Sequence, residues 1–273
     1  MTAALSHPVT LTERELHTLA FRLGIHDLPV VLAIRHRNPT IESRDTAASR
    51  ATQELVSRNL IADDEVHPDL TSVLRALQRP DRELAMRLVT PDGTARVSAV
   101  RRGSLGVLAR RIGDDISLRT TGKSGESCDM AAALLAELPQ AKPAEIQPVG
   151  APLSEMSECL SGTHDSLDLA DRIRALGAEP KAAMLLGTAL ASRQAFAEIV
   201  HYALADDEGR ISRSPAAVGV FYTKRGRIVA APTASPSGQI WATLKAGSDH
   251  AVVDAIGRLV ELCDEGRGAY RAS

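Results

Sequence analysis

The residues closest to a chemical signature are Ser117-Leu118-Arg119-Thr120-Thr121-Gly122-Lys123-Ser124. A phosphate-binding loop needs a glycine, four residues, then Gly-Lys-Ser or Gly-Lys-Thr, so that consecutive amides wrap the phosphates. The tail Gly122-Lys123-Ser124 fits, with a strand predicted before it and a helix after. Ser117 stands in place of the first glycine, inside the predicted strand, and no apolar strand ending in a magnesium-binding aspartate follows. The segment therefore reads as a polar loop capping the next helix. A nucleotide-binding switch or enzyme built on Gly122–Ser124 is the alternative.

The other candidates for chemistry are weaker still. The eight histidines are scattered, none in H-E-x-x-H or another metal spacing, so no metal is expected. No G-x-S-x-G elbow gives a hydrolase nucleophile a seat. Asp63-Asp64-Glu65, Asp114-Asp115 and Asp206-Asp207-Glu208 pair carboxylates, but each falls in a predicted turn, where aspartate caps backbone amides. No catalytic residue and no cofactor are expected.

Binding is left as the function class. Arg101-Arg102 and Arg110-Arg111 lie at strand positions close in space, suited to a nucleic-acid face or an acidic protein partner. The balanced net charge of -2 and the lack of further lysine clusters favour an exposed sheet edge or an acidic protein partner over nucleic acid. The helix Lys181–Ala191 is apolar nearly all the way round. It reads as a fully buried helix, with a second face offered to a partner as the functional reading.

The elements that must carry these residues follow from periodicity. Thr12-Glu13-Arg14-Glu15 is a capping box, and Leu16, Leu19, Ala20 and Leu23 continue it as one helical stripe. Leu28–Ile34 reads as strand-like, and further helices are expected over Ser43–Arg58 and from Pro68. From Glu83 the period becomes alternating, with strands at about 83–90, 94–102, 104–112 and 115–120, then a helix over 127–138. Pro139, Pro143, Pro148 and Pro152 mark a linker or extended segment. Two helices, over 166–176 and 180–191, precede strands at 196–204, 217–223, 227–231 and 239–244, and a last helix spans 249–263.

Helix, four strands, helix thus occurs twice. The segment from Ile116 to Leu138 and that from Ile240 to Leu262 share their spacing and their Leu-rich helix ends. The expected class is α/β (α+β): two pseudo-symmetric units forming a central, mostly antiparallel sheet with flanking helices. The halves are expected at 1–139 and 166–273, with 140–165 between them. Strand Ser104–Ile112 is a candidate exposed edge for a homodimer. Three cysteines without a C-x-x-C pair, no basic-then-apolar N-terminus and no apolar run of about 20 residues point to a cytoplasmic protein without membrane insertion.

Arg79-Pro80-Asp81-Arg82-Glu83-Leu84 entering a strand resembles a hallmark of the EspG family, the type VII (ESX) secretion-associated chaperones of mycobacteria. So do Thr12-Glu13-Arg14-Glu15-Leu16 with Leu23-Gly24 and Leu28-Pro29, Arg225-Gly226-Arg227, Gly238-Gln239-Ile240-Trp241-Ala242-Thr243, and Gly247-Ser248-Asp249. The likeness runs from about residue 9 to 265. The acidic residue and proline usual before Gly-Arg are replaced by Thr223-Lys224-Arg225. The resemblance implies a cytosolic, cofactor-free chaperone with a quasi-two-fold α/β fold and a helical bundle in its second half. Its partner would be a PE–PPE heterodimer, gripped at the helical tip of the PPE subunit and kept soluble for export. On that basis Leu185, Leu186, Leu190, Val220 and Tyr222 are expected to give apolar contact, and Arg101 and Arg102 rim charge.

Overall fold

The computed structural model describes residues 5, 7–34, 41–121, 127–204 and 211–271. Backbone contacts divide the chain into two units, one of Met1–Ala85 with Ala95–Ala133, the other of Met86–Thr94 with Leu134–Ser273.

The first unit opens with strand β1 (Val9–Thr12) and helix α1 (Glu13–Arg22), followed by a short 3-10 turn at Val30–Leu32. Helix α2 (Ile41–Ser57), the hairpin β2 (Ile61–Ala62) and β3 (Glu65–Val66), and helix α3 (Pro68–Gln78) come next. Strand β4 (Arg82–Thr90) contributes its first residues here, then β5 (Gly93–Arg102), β6 (Leu105–Ile112), β7 (Asp115–Thr121) and the start of α4 (Ser127–Leu135). Strand order in this unit is β1, β7, β6, β5 and the beginning of β4, with antiparallel ladders from β1 to β5. Leu16, Leu19, Leu70, Val73, Leu74 and Leu77 from the helices pack on Leu11, Val100, Val107, Ile116 and Leu118 from the strands.

The second unit takes the rest of β4. It adds β8 (Val149–Pro152), α5 (Leu153–Leu160), α6 (Ser166–Ala175), α7 (Pro180–Ala191), β9 (Arg193–Leu204), β10 (Ile211–Arg213), β11 (Val218–Thr223), β12 (Gly226–Ala234), β13 (Ile240–Ala246) and α8 (Asp249–Arg271). Its order is β4, β9, β11, β12, β13, β8, with β10 on β9. Taken separately, the two units follow one plan. Four sequential strands run in order, and a short strand placed earlier in the chain (β1 or β8) pairs antiparallel with the last of them. The repeat expected from element order is therefore present, together with edge strands that periodicity did not reveal.

Several expectations change. Leu28–Ile34 forms a 3-10 turn, closed by Ala33 in the left-handed region at φ 48°, which ends extended geometry there. Ser104–Ile112 is no edge: β6 pairs with β5 on one side and β7 on the other, so its amides have no opening for a second copy. The proline-marked stretch 140–165 carries β8 and α5, with Pro152 leading into the helix.

Each unit encloses a buried arginine. Arg111 donates to the carbonyls of Leu32 at 2.9 Å, Ala33 at 2.6 Å and Gly113 at 2.8 Å, and its other end pairs with Glu13 at 3.0 Å. Arg227, 1% exposed, donates to the Gly247 carbonyl at 2.5 Å and to the Asp249 carboxylate that opens α8. Removing one member of a buried pair leaves a charge that nothing compensates, at a cost of about 3–5 kcal/mol. Glu13→Ala should lose stability on that scale in urea unfolding. Arg111→Met also orphans three carbonyls, so Glu13→Leu combined with Arg111→Met should lose less than the two single losses summed, and strict additivity would refute the pairing.

Candidate partner-binding surface

The second unit stacks α5, α6 and α7 against one face of its strands. Ala183, Leu186, Ala189 and Leu190 of α7 join Leu169 and Ile173 of α6 over Phe221, Ile228, Ala242 and Leu244. Close helix approach depends on Gly187: a Cβ there would lie 2.7 Å from the Ala170 amide nitrogen and 2.8 Å from the Ser166 carbonyl oxygen. Burying this stripe leaves Lys181 and Met184 on the outer side of α7, with Leu185 and Thr188 half-buried.

Beside the bundle the same sheet face opens. Register places Glu198 opposite Gly219, and Gly219 opposite Ala230, while Arg87 on β4 pairs with Glu198 at 3.7 Å. One row therefore crosses four strands as Arg87, Glu198, Gly219 and Ala230, none of them fully buried. The neighbouring row carries Phe196 and Phe221, whose rings lie 4.9 Å apart. A Cβ on Gly219 would touch both rings and Ala230 at 3.3–3.5 Å. The result is a shallow, closely lined trough: small residues along its floor, two aromatic rings pressed against Gly219, and a charged pair on one side.

The expected contact residues fall differently. Leu186, Leu190 and Val220 are at most 2% exposed and form part of the chain's own core, so they reach no partner without repacking. Val220 and Tyr222 point to the sheet face opposite the trough, since Val220 is opposite Ala197 and Val229 while Phe221 lies opposite Phe196 and Ile228. Burial pushes the Tyr222 phenol up, and the neighbouring Arg227 draws it back down. Leu185 is half-buried on α7. Arg101 and Arg102 lie in the first unit, one half-buried and one exposed. Phe196, Glu198, Gly219 and Arg87 were not singled out from sequence. Val218-Gly219-Val220-Phe221-Tyr222 is apolar at nearly every position, so alternation gave no parity there.

The other candidates also find their places. Asp63 and Asp64 occupy the left-handed positions of the β2–β3 hairpin turn (φ 50° and 67°), and Asp64 takes Arg22 at 2.6 Å. Ser117 is in β7. Gly122, Lys123 and Ser124 lie outside the described residues, as do Asp206, Asp207 and Glu208. Among the described residues no helix is long and apolar enough to cross a membrane, and no group of three His, Cys, Asp or Glu is placed to hold a metal.

A family model described as the EspG family matches residues 12–258. The chain belongs to the EspG family. Relatives include the ESX-1 secretion-associated protein EspG1 of Mycobacterium tuberculosis, 27% identical over 91% of this chain and 84% of the relative. EspG1 of Mycobacterium marinum is 27% identical over 93% and 88%, and the ESX-3 secretion-associated protein EspG3 of Mycolicibacterium smegmatis 27% over 92% and 85%. The fold is similar to that of the Mycobacterium tuberculosis type VII secretion system chaperone EspG5, solved in complex with a PE25–PPE41 dimer. The TM-score is 0.78 at 20% identity, covering 94% of this chain and 97% of the other.

The residues that carry the family likeness are, in this structure, anchors of the scaffold. Thr12 accepts from the Glu15 amide at 3.2 Å while Glu15 accepts from the Thr12 amide at 2.7 Å and from Arg58 at 2.7 Å; Glu13 holds Arg111. Asp81 accepts from the Gly103 amide at 2.7 Å, and its own amide donates to the Arg101 carbonyl at 2.7 Å. Gly226, at φ +118°, runs so close to the chain at 142–144 that a Cβ would meet the Lys142 carbonyl oxygen at 2.7 Å. Gly247 likewise lies against Arg227, where a Cβ would come within 2.9 Å of its side chain.

Glu83 of the Asp81-Arg82-Glu83 run accepts from the buried Ser98 hydroxyl at 2.7 Å. Burial raises its carboxyl above the ordinary carboxylate range, and the Ser98 bond only partly opposes this. A raised folded-state pKa means that its stabilising contribution is full below the unfolded value of about 4.3 and is lost as pH rises through the folded value. Glu83→Gln, a stand-in for the protonated form, should therefore melt above the wild type near neutral pH, and the gap should close toward about pH 4. A gap independent of pH would show that ionisation of Glu83 is not the cause.

Proposed function

We propose that this chain is a cytosolic, non-catalytic chaperone for a PE–PPE heterodimer, holding the helical tip of the PPE subunit in the trough beside α7 and keeping it soluble for type VII (ESX) secretion. Family membership over residues 12–258 carries the reading. Support for the partner comes from EspG5, which shares the fold and was solved with PE25–PPE41.

The physical logic is that of a reversible cover. An export substrate that exposes apolar side chains aggregates unless those groups are shielded. Small floor residues at Gly219 and Ala230 let an apolar partner surface lie flat across the strands, the half-buried Phe196 offers an aromatic flank, and Met184 with Leu185 offers apolar surface on α7. Arg87 and Glu198 form a polar rim that sets orientation and limits grip, as suits a partner that must be handed on. No covalent or redox step is involved.

The test is co-expression with PE–PPE pairs, affinity capture through the PPE subunit and size-exclusion chromatography. A stoichiometric complex is expected, with the pair less soluble when this chain is omitted. Gly219→Leu, whose side chain must push the Phe196 and Phe221 rings aside and raise the trough floor, should weaken capture at least about tenfold, ~1.4 kcal/mol, in a chain shown to be folded by circular dichroism. Full capture by Gly219→Leu would remove the trough from the interface. Failure of the folded wild type to retain any pair would sink the chaperone reading itself.

A further inference from the structure

The first unit carries a concentration of cations that the trough does not use. The C-terminal turn of α3 and the turn of the β5–β6 hairpin meet at one corner. There Arg102 Nη1 donates to the Arg75 carbonyl at 2.8 Å, the Arg79 amide donates to the same carbonyl at 3.3 Å, and Arg101 Nε donates to the Gly103 carbonyl at 2.9 Å. Arg75, Arg79 and Arg102 are exposed and Arg101 half-buried. Among the described residues none of the four forms an ion pair with a carboxylate. The nearby Asp81 is engaged by the Gly103 amide.

Two features set this corner apart from ordinary solvated charge. The chain as a whole has a net charge of -2, so four cations beside one carboxylate depart from the average in the opposite direction. Moreover, Arg101 and Arg102 are each fixed by a single bond to a backbone carbonyl, with no further bond from either guanidinium among the described residues. A planar fork held in place with unused donors suits bidentate capture of carboxylates, because little side-chain freedom is lost on binding.

We propose that this corner is a docking site for a short acidic segment of a partner protein, independent of the trough and of whichever substrate it holds. Several phosphate contacts in a row, which nucleic-acid binding requires, exceed what four arginines at one helix end supply, and the overall negative charge repels a long polyanion. A short run of Glu or Asp matches both the size and the chemistry of the corner.

The experiment uses the full chain and a fluorescein-labelled deca-glutamate peptide, read by anisotropy at about 50 mM and about 300 mM NaCl, the latter screening beyond several ångströms. Saturable binding is expected at the lower salt, weakened at least about tenfold at the higher. The R101E/R102E variant should bind at least about tenfold more weakly, and R174E, at an exposed site on α6, should bind as the wild type does. R75E/R79E, whose side chains support no backbone carbonyl, repeats the test if R101E/R102E fails to fold. No binding at low salt, or equal binding by the folded reversal variants, would overturn the proposal. Tighter binding of a twenty-base-pair duplex, or of phosphatidylglycerol vesicles, than of the peptide would reassign the corner to nucleic acid or membrane. None of these readouts requires a PE–PPE pair, so the result stands apart from the chaperone test.

Discussion

Burying a guanidinium is tolerated only if its charge is paired and hydrogen bonds replace those to water, and that constraint organises both units. Arg111 is satisfied by three carbonyls and Glu13, which together tie the first turn of α1, the 3-10 turn and the β6–β7 turn to one point. Arg227 does the same for β12, the approach to α8 and the strand-like passage at 142–144, whose carbonyl and amide bond its backbone. Once these ties are made, neighbouring glycines follow from space alone, since any side chain at Gly226 or Gly247 would strike backbone. Specification by a buried polar group carries a stability cost, because hydrophobic replacements of similar volume often pack as well or better. What the arginines supply is a single permitted arrangement of loops and helix starts.

That rigidity matters for a surface whose task is to receive another protein. The trough on the second unit depends on small residues: no side chain at Gly219, a methyl at Ala230, and two rings that lie against the backbone because nothing larger stands there. Such a surface keeps its shape only if the strands beneath and the helix beside it do not move to close it. Gly187 draws α6 and α7 together, and the apolar stripe of Ala183, Leu186 and Leu190 fixes α7 to the sheet. The residues that fasten the scaffold and those that line the trough are different sets. A partner surface can then vary while the anchors stay as they are.

Much of the scaffold was legible in the chain. The capping box at Thr12–Glu15, the helix opened by Pro68 and the alternation from Glu83 each state a local preference that the structure obeys. Short edge strands escaped notice because four residues such as Val149–Pro152 carry no periodic signal, and their pairing with β13 is a long-range event. The Leu28–Ile34 run misled because apolar content alone does not separate a buried turn from a strand; the deciding contact, Arg111 with the carbonyls of Leu32 and Ala33, comes from 78 and 79 residues away.

The sequence by itself determined the class of the fold and the duplicated order of elements, because capping, periodicity and turn chemistry act between residues a few positions apart, and its short motifs carried the family resemblance. It also identified α7 as apolar nearly all the way round. Only the tertiary structure decided which apolar residues stay accessible. In β11 nearly every position is apolar, so nothing local separates the face of Val220 and Tyr222 from that of Gly219 and Phe221. Pairing with β9 and β12 makes that choice, and a shift of one residue exchanges the two faces.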